Sequence, residues 1–352
     1  MKKMKASVLH GLGNFKTENV DIPQINKDEV LIKVEYCGIC GSDVPRSMIS
    51  GARKYPLILG HEFSGKVVET GSDVKQFSPE DRVVIAPLIP CGNCKFCKAG
   101  DYNLCEDYNI IGTGSNGGFA EFVKVPKGHV LSIPDQLDFE TASGIEPATI
   151  GYHGIQKANI QPGETVVIMG CGPIGQLTLQ WAKIFGASKV IAVDIMDEKL
   201  ELARKLGADV TINSKNIDAV EEIKKITNGG PEVSIETAGN VVTQQQAILG
   251  AKKKGRVIFL GITHKGLNLY DETIDHIMRG EIIIKGSWNS YTMPYPGIAW
   301  NATLHFMSKG DLKFKPMISH KIEVEELGSY LKGMAEGTFM YNKVLVSFNN
   351  TN

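Results

Sequence analysis

The sequence lacks an apolar run long enough to span a membrane, and it has almost no excess of charge of either sign. Its 38 Lys and Arg residues nearly balance 39 Asp and Glu residues, so the formal net charge is −1. This balance gives no general attraction to nucleic acid or to an anionic membrane surface. The basic start at Lys2, Lys3 and Lys5 is not followed by an apolar core of signal-peptide length. We therefore expect a cytoplasmic protein that binds neither nucleic acid nor membranes.

Cysteine is scarce, with seven residues in a chain of 352, and most of the cysteines fall in one short segment. That segment has the spacing C-x2-C-x2-C-x7-C, formed by Cys91, Cys94, Cys97 and Cys105. Cytoplasmic thiols stay reduced, so the cluster is typical of metal ligands rather than disulfides. Four thiolates can surround Zn²⁺ and leave no open position, which predicts a structural zinc site. A redox pair, an iron–sulfur cluster and a nucleic-acid-binding zinc ribbon are the alternatives, although few basic or aromatic residues lie nearby for the last.

A second set of metal-ligand types lies in Cys40-Gly41-Ser42-Asp43 and Gly60-His61-Glu62. Thiolate, imidazole and carboxylate are groups that bind zinc, and a catalytic zinc uses three protein ligands and keeps one place for water or substrate. A single Cys or His is more often a packed core residue. The prediction of a catalytic metal at Cys40, His61 and Glu62 therefore depends on the other motifs of the chain.

The length of 352 residues, with a mass of 38.4 kDa, suggests two domains. Up to about residue 150, short β-branched runs bounded by Gly, Pro, Asp or Asn predict an all-β, partly barrel-like domain. Strands then alternate with amphipathic helices, which predicts an α/β fold with a doubly wound, six-stranded parallel sheet. The predicted strands are 165–169, 189–194, 210–212, 233–236, 256–260 and 281–285, and the predicted helices between them are 174–186, 197–206, 217–227 and 243–250. Helices near 298–309 and 323–336 precede a last strand, 343–346, that we expect to return to the first domain.

A glycine-rich turn follows the first of these strands and opens a helix, which is the context that a dinucleotide-binding motif needs. Its residues are Gly170, Cys171, Gly172, Pro173, Ile174 and Gly175. Gly170 permits the tight turn, Gly172 lets the backbone approach a pyrophosphate, and Gly175 lets the helix pack closely on the strand. Cys171 acts mainly through its backbone. A plain tight turn is the alternative for this motif alone.

Asp194 ends the second strand, where a carboxylate can accept hydrogen bonds from both ribose hydroxyls of the nucleotide. The same carboxylate would repel a 2′-phosphate, and Ile195 and Met196 supply no replacement cation. NAD is therefore favoured over NADP. Lys199 can reach the adenosine ribose, and a solvated helix lysine is the alternative for this residue.

With Glu146-Pro147, these motifs in this order resemble the zinc-dependent medium-chain dehydrogenase/reductase family across essentially the whole chain. The resemblance implies a GroES-like catalytic domain at 1–153 and 295–352, with the structural-zinc lobe at 91–105, and a Rossmann domain at 154–294. It also implies that Cys40, His61 and Glu146 hold a catalytic zinc, with Glu62 beside it as a switchable ligand or base. An N-terminal helix charge is the alternative for Glu146. The family commonly forms dimers or tetramers, so we expect a homo-oligomer.

Segments 42–46, 286–291 and 294–297 resemble the polyol-dehydrogenase branch. They imply hydride transfer between NAD and a secondary hydroxyl of a polyol or polyol phosphate, galactitol 1-phosphate first, with Ser42 starting a proton relay. An unphosphorylated substrate such as sorbitol, butanediol or threonine is the close alternative. A zinc-free reductase of the same superfamily and a non-enzymatic nucleotide sensor are disfavoured.

The sequence supports expectations about the roles of three further positions, Arg46, Pro45 and Glu80. Arg46 is the hypothetical partner of a substrate phosphate, because it follows the zinc loop within the branch-like segment; the other candidates by residue type are Arg53, Lys54, Lys265 and Arg279. Pro45 stands where many relatives carry the last histidine of the relay, so the relay is expected to end at water or Glu62. Glu80 replaces a glycine that often precedes Asp-Arg-Val, which we interpret as a surface substitution of no consequence.

Overall fold

Short β-branched runs form the strands of this protein, because Val and Ile fit the pleated, half-buried surface of a sheet. The computed structural model describes residues 2–263 and 265–348. Within those residues the strands are β1 (Lys3–Gly11), β2 (Asn14–Asp21), β3 (Glu29–Gly38), β4 (Glu62–Thr70), β5 (Arg82–Ile85), β6 (Leu88–Ile89), β7 (Asn109–Ile110), β8 (Phe122–Pro126), β9 (Val130–Ser132), β10 (Thr165–Met169), β11 (Lys189–Asp194), β12 (Val210–Asn213), β13 (Val233–Glu236), β14 (Arg256–Phe259), β15 (Ile283–Gly286), β16 (Ile318–Glu323) and β17 (Lys343–Ser347).

The α-helices of the same residues are α1 (Asp43–Met48), α2 (Lys95–Ala99), α3 (Phe139–Ala142), α4 (Ile145–Ala158), α5 (Pro173–Ile184), α6 (Asp197–Lys205), α7 (Ala219–Thr227), α8 (Val241–Gly250), α9 (Asp271–Gly280), α10 (Ile298–Ser308) and α11 (Leu327–Glu336). Single turns of 3-10 helix span Tyr102–Leu104, Lys127–His129, Lys315–Met317 and Val324–Glu326. No helix in the described part of the chain is both long and apolar enough to cross a bilayer.

The chain divides into two compact units. The first comprises Met1–Glu146, Tyr291–Ser308 and Ile318–Asn352, and the second comprises Pro147–Ser290 and Lys309–Met317. The domain limits given above, at 153/154 and 294/295, remain a prediction about how the chain is organised.

The first unit is built on a sheet with the order β16-β17-β3-β4-β5-β9, and β8 also pairs with β3. The last strand, β17, pairs antiparallel with β3, with Leu345 opposite Gly38. One face of the sheet packs into a core that includes Ile32, Phe63 and Val346. The sheet therefore brings three distant segments, the end of β3 and the starts of β4 and β17, to one edge of the core.

The second unit contains the parallel sheet β12-β11-β10-β13-β14-β15, and this order confirms the predicted doubly wound fold. Its core includes Val167, Ile191 and Ile248. Helix α5 follows β10 directly and begins with Pro173 at its first position, where a missing N–H costs no helical hydrogen bond. The glycine-rich turn thus lies at the carboxyl end of a central strand, where ligands of doubly wound sheets bind.

The backbone at Glu80 contradicts the expectation that this substitution has no consequence. The residue is exposed, as a surface position should be, but its φ angle is +75°, in the left-handed region that favours glycine. Its carboxylate pairs with Lys66 at 2.8 Å, which lowers the pKa of Glu80. The substitution therefore carries a backbone consequence that the sequence pattern alone does not reveal.

Candidate metal centres and nucleotide loop

Cys40 and His61 meet because β3 and β4 are antiparallel neighbours. Cys40 follows the end of β3, His61 immediately precedes β4, and the pairing places Gly38 opposite Glu62. One ligand atom from each of Cys40, His61 and Glu62 lies within 4.8 Å of the others. Sulfur, imidazole nitrogen and carboxylate oxygen form a donor set that fits zinc.

Asp43 contacts two residues of this cluster, although the sequence pattern predicted no role for it. Its side chain is fully buried and accepts the Cys40 N–H at 3.0 Å. Its second oxygen lies 3.7 Å from Nδ1 of His61, a buried ring nitrogen to which the described residues offer no hydrogen-bond partner. Carboxylates commonly orient metal-binding imidazoles in this way. Burial raises the pKa of Asp43, and the charges of His61 and Arg46 oppose that rise.

Glu62 is 1% exposed and forms an ion pair with the ammonium of Lys343, which is 2% exposed. Lys343 is the first residue of β17 and also donates to the Ile39 carbonyl at 3.0 Å. Burial alone would lower the pKa of Lys343, but the negative charge of Glu62 and its neighbours raises it. The sequence predicted Lys343 only as the first residue of the last strand and gave it no functional role, because a lysine in a β-branched run carries no signal of a buried partner.

Glu146 lies in the first turn of α4 and is 7% exposed. Burial raises the pKa of its carboxyl group to about 7, while the charge of His61 opposes the rise. Burial likewise raises the pKa of Cys40, and the charge of Glu146 contributes to that rise. Glu146 therefore interacts electrostatically with both residues, although it lies outside the 4.8 Å cluster. Its role as the third ligand remains a prediction.

Ser42 lies beside the cluster and donates from Oγ to the Cys40 sulfur at 3.3 Å. Arg46 turns back onto the same loop, donating to the Ser42 carbonyl at 3.1 Å and to its Oγ at 3.4 Å. It also pairs with Asp43 at 3.3 Å. Arg46 is therefore close to Ser42, but its guanidinium already holds the loop, so any contact with a substrate phosphate would use its remaining donors.

The four-cysteine segment forms a compact sulfur cluster in which ligand atoms of Cys91, Cys94, Cys97 and Cys105 all lie within 4.8 Å of one another. Sγ of Cys91 and Sγ of Cys97 are 3.9 Å apart. Sulfurs bound at 2.3 Å in a zinc tetrahedron lie about 3.8 Å apart, so the spacing fits that metal. Hydrogen bonding from the Cys97 N–H lowers the pKa of Cys94 to about 6. All four thiols are free of disulfides, as metal ligands must be.

The glycine-rich turn has the tight geometry expected of a nucleotide loop. Gly170 has a φ angle of +97°, and a side chain at Gly175 would overlap the Gly170 carbonyl oxygen. A side chain at Gly172 would meet nothing within 4 Å, so the backbone there is open to a ligand. Pro173 and Ile174 begin α5 immediately after it. The positive end of α5 therefore lies at the turn.

Asp194 ends β11 and is already bonded to the backbone around the turn. Oδ2 accepts the Cys171 N–H at 2.7 Å, and Oδ1 accepts the N–H groups of Ile195 and Met196 at 2.8 and 3.0 Å. Each carboxylate oxygen can accept more than one hydrogen bond, so capacity for ribose hydroxyls remains. Lys199 has a half-buried side chain and accepts the Gln176 amide through its carbonyl oxygen at 2.8 Å. The nucleotide contacts of Asp194 and Lys199 remain predictions.

Family models match most of the chain. The model of the alcohol dehydrogenase GroES-like domain matches residues 26–135, and that of zinc-binding dehydrogenase matches residues 173–304. Sorbitol dehydrogenase of Bacillus subtilis (strain 168) is 38% identical over 331 residues, which cover 92% of this chain and 92% of that protein. Galactitol 1-phosphate 5-dehydrogenase of Escherichia coli (strain K12) is 35% identical over 345 residues, which cover 97% of this chain and 99% of that protein.

Solved structures of dehydrogenases also match nearly the whole chain. Galactitol-1-phosphate dehydrogenase from Escherichia coli matches with a TM-score of 0.93 at 34% identity, covering 98% of this chain and all of that chain (100%). A structure described as a zinc-binding dehydrogenase from Sinorhizobium meliloti 1021, bound to NADP, matches with a TM-score of 0.91 at 34% identity. The match covers 99% of this chain and 100% of the chain in that structure.

Proposed function

Because this chain belongs to the zinc-binding alcohol dehydrogenase family, we propose that it transfers a hydride between a secondary hydroxyl of a polyol or polyol phosphate and NAD. The family matches and the near full-length relatives establish an oxidoreductase of the zinc-type polyol and alcohol dehydrogenases. The family and fold predicted from the sequence are thereby confirmed. The observation that carries the proposal is the convergence of Cys40, His61 and Glu62 in one cluster, in which His61 and Glu62 are buried and Cys40 is half-buried.

The proposed catalytic site assigns Cys40, His61 and Glu146 as zinc ligands, with Glu62 beside them. Zinc bound there would act as a Lewis acid and lower the pKa of an alcohol toward about 7. Asp43 orients the His61 ring, and Ser42 accepts and passes on the hydroxyl proton through its Oγ. The four cysteines of the second cluster would hold a structural zinc.

The glycine-rich turn is the proposed site for the pyrophosphate of NAD. Gly172 leaves the backbone open to it, and the N-terminal end of α5 favours its negative charge. Asp194 is the proposed acceptor for the ribose hydroxyls, with Lys199 nearby. The nicotinamide ring supplies the hydride chemistry, and the protein supplies orientation and charge.

Galactitol 1-phosphate is the substrate that we favour. The Escherichia coli galactitol 1-phosphate 5-dehydrogenase aligns with 97% of this chain, and Arg46 lies beside Ser42 with its guanidinium within 3.4 Å of the hydroxyl. An unphosphorylated polyol such as sorbitol is the second candidate, because the Bacillus subtilis sorbitol dehydrogenase has the higher identity of the two, 38%.

A substrate panel tests this proposal. NADH formation should be measured with galactitol 1-phosphate, galactitol, sorbitol, butanediol and threonine for the wild type, Arg46→Ala and the control Arg53→Ala. Arg53 is an exposed arginine of the same unit and the other arginine of that region considered for the phosphate contact, so its variant makes a matched loss of charge. We expect a preference for the phosphate that Arg46→Ala reduces and Arg53→Ala leaves intact. A wild type that prefers sorbitol would replace our substrate, and a phosphate preference that survives Arg46→Ala would remove Arg46 from the phosphate site.

We also propose that the enzyme is a cytoplasmic homodimer or homotetramer. The sixth strand, β15, forms one edge of the parallel sheet, and its side chains, including Ile283 and Ile284, are exposed. Apolar side chains on an open sheet edge favour pairing with another copy. Light scattering of the purified protein should give a mass of two or four chains, and a monomer would refute this part of the proposal.

A further inference from the structure

The carboxylate of Glu236, the last residue of β13, is fully buried at the carboxyl end of the parallel sheet. Its Oε1 accepts the N–H groups of Ala238 and Gly239 and the hydroxyl of Thr243, each at 2.8 Å. Oε2 is also buried, and the described residues offer it no hydrogen-bond partner. The three donors are neutral, so hydrogen bonding leaves the negative charge of the carboxylate in place.

The contacts of Glu236 favour its ionised form. Burial raises the pKa of Glu236, and the hydrogen bonds from the Thr243 hydroxyl and the neighbouring N–H groups oppose that rise. A proton on Oε2 would find no acceptor among the described residues, whereas three donors on Oε1 stabilise a carboxylate more than a neutral acid. Glu236 therefore places a buried negative charge at this end of the sheet.

Oε2 of Glu236 lies where the chain segments that leave β13 and β14 meet. A side chain at Gly261, two residues after β14, would lie 2.8 Å from this oxygen and would overlap the backbone of Gly239. The segment after β13 also contacts the glycine-rich turn, because Thr237 donates from Oγ1 to the Gly170 carbonyl at 2.8 Å. The carboxylate therefore lies under loops that adjoin the proposed pyrophosphate site.

The strand order indicates which half of a dinucleotide extends toward Glu236. The proposed ribose acceptor, Asp194, ends β11 on one side of β10, and the glycine-rich turn follows β10 itself. Strands β13 and β14 lie on the other side of β10. A dinucleotide that crosses the crevice at the carboxyl ends of the strands therefore extends its nicotinamide half toward β13 and β14.

We propose that the charge of Glu236 favours the binding of oxidised NAD over that of NADH. The inference rests on the proposed NAD site. The nicotinamide ring of NAD carries a positive charge that hydride transfer removes, and a buried negative charge attracts only the charged ring. The reduced cofactor thus loses an attraction that the oxidised cofactor has, which favours the release of NADH after the alcohol is oxidised.

The test measures dissociation constants by calorimetry for NAD, NADH and benzamide adenine dinucleotide, a neutral analogue of NAD in which carbon replaces the ring nitrogen. Glu236→Gln removes the charge, and Thr243→Val removes one donor to the carboxylate but keeps the charge. Glu232→Gln is the matched control for loss of charge, since Glu232 immediately precedes β13 and so lies at the opposite, amino end of the same strand.

We expect the wild type to bind NAD at least about fivefold more tightly than the neutral analogue, and Glu236→Gln to reduce that preference to about twofold or less. Glu236→Gln should also lower the NAD affinity about fivefold relative to the NADH affinity. Thr243→Val and Glu232→Gln should leave both ratios within about twofold of the wild type, because a looser loop or a distant charge affects the three ligands alike.

Equal wild-type affinity for NAD and the neutral analogue would overturn the inference, and this comparison needs no variant if Glu236→Gln does not fold. Preferences that are unchanged in folded Glu236→Gln, or that Thr243→Val reduces equally, would overturn it as well. A wild type that binds none of the three ligands would instead refute the proposed nucleotide site, so the two failures are distinguishable.

Discussion

Replacing Asp194 by alanine should shift cofactor preference from NAD toward NADP. The carboxylate ends β11 beside the glycine-rich turn, where it accepts the Cys171 N–H at 2.7 Å. A 2′-phosphate bound at this place meets a like charge, and the two residues that follow, Ile195 and Met196, offer no compensating cation. Removing the carboxylate removes that repulsion and also removes an acceptor for the ribose hydroxyls of NAD.

The magnitude follows from these two effects. Like unit charges 4 Å apart repel by about 1 kcal/mol in water and by about 4 kcal/mol at the effective dielectric of a protein surface. A hydrogen bond to a charged acceptor contributes about 1.5–3 kcal/mol. Taking the lower values of both, the ratio of NADP affinity to NAD affinity should rise at least about 50-fold. Any loosening of the glycine-rich turn in Asp194→Ala lowers the affinity for both cofactors alike. The ratio of the NADP affinity to the NAD affinity is therefore a cleaner measure than either affinity alone.

The assay is calorimetric titration of NAD and NADP into the wild type, Asp194→Ala and Asp197→Ala. Asp197 begins α6 and binds the Asn213 amide at 2.7 Å, so its replacement makes the same change in net charge near the same turn. Asp197→Ala should leave the ratio within about threefold of the wild type. Equal affinity of the wild type for both cofactors, or an unchanged ratio in Asp194→Ala, would refute the assignment of Asp194.

Three further predictions concern stability and metal content. Glu80→Gly should unfold with a free energy about 1 kcal/mol higher than Glu80→Ala in urea, because both lose the Lys66 contact and only glycine relieves the left-handed backbone. Burial lowers the pKa of His153 to about 4 from 6.5, so the unfolded chain binds the extra proton and stability is lost as pH falls through that window. Wild type should therefore lose about 3 kcal/mol more than His153→Gln between pH 7 and pH 4, and parallel curves would contradict this. Elemental analysis should find two zinc ions per wild-type chain and one in Cys94→Ser, and two in that variant would exclude Cys94 as a ligand.

The sequence predicted the strands and helices whose apolar residues follow a regular pattern, and most of the helices that it missed lack such a pattern. The strands of the parallel sheet are continuous β-branched runs, so they were found within a few residues. Helix α4 is buried on nearly all sides, which erases the helical period, and Pro147 and its glycines lower its helix propensity. Helix α9 is an exception, because Ile274, Ile277 and Met278 form a short apolar stripe at helical spacing and the helix was still not predicted.

The residues of the candidate site also fall into two groups, those that the sequence predicted and those that it missed. Cys40, His61 and the four clustered cysteines could be named because ligand types at short spacing are a local property of the sequence. Asp43 was part of a recognised segment but received no role, since only the fold shows that its buried carboxylate meets the Cys40 amide. Lys343 was predicted as part of the last strand but could not be linked to the site, because its partner carbonyl at Ile39 lies 304 positions away in the chain.

The net charge of the groups around Cys40 and His61 supports the proposal of a divalent metal, in addition to the support from the ligand types. Four acidic groups interact around the cluster, namely Cys40, Asp43, Glu62 and Glu146, and the cations Lys343 and Arg46 interact with them. When all are ionised, two negative charges remain, which is the charge that one Zn²⁺ neutralises. Burial raises the pKa of Cys40, Asp43 and Glu146, and a divalent cation reverses that rise for groups that it contacts.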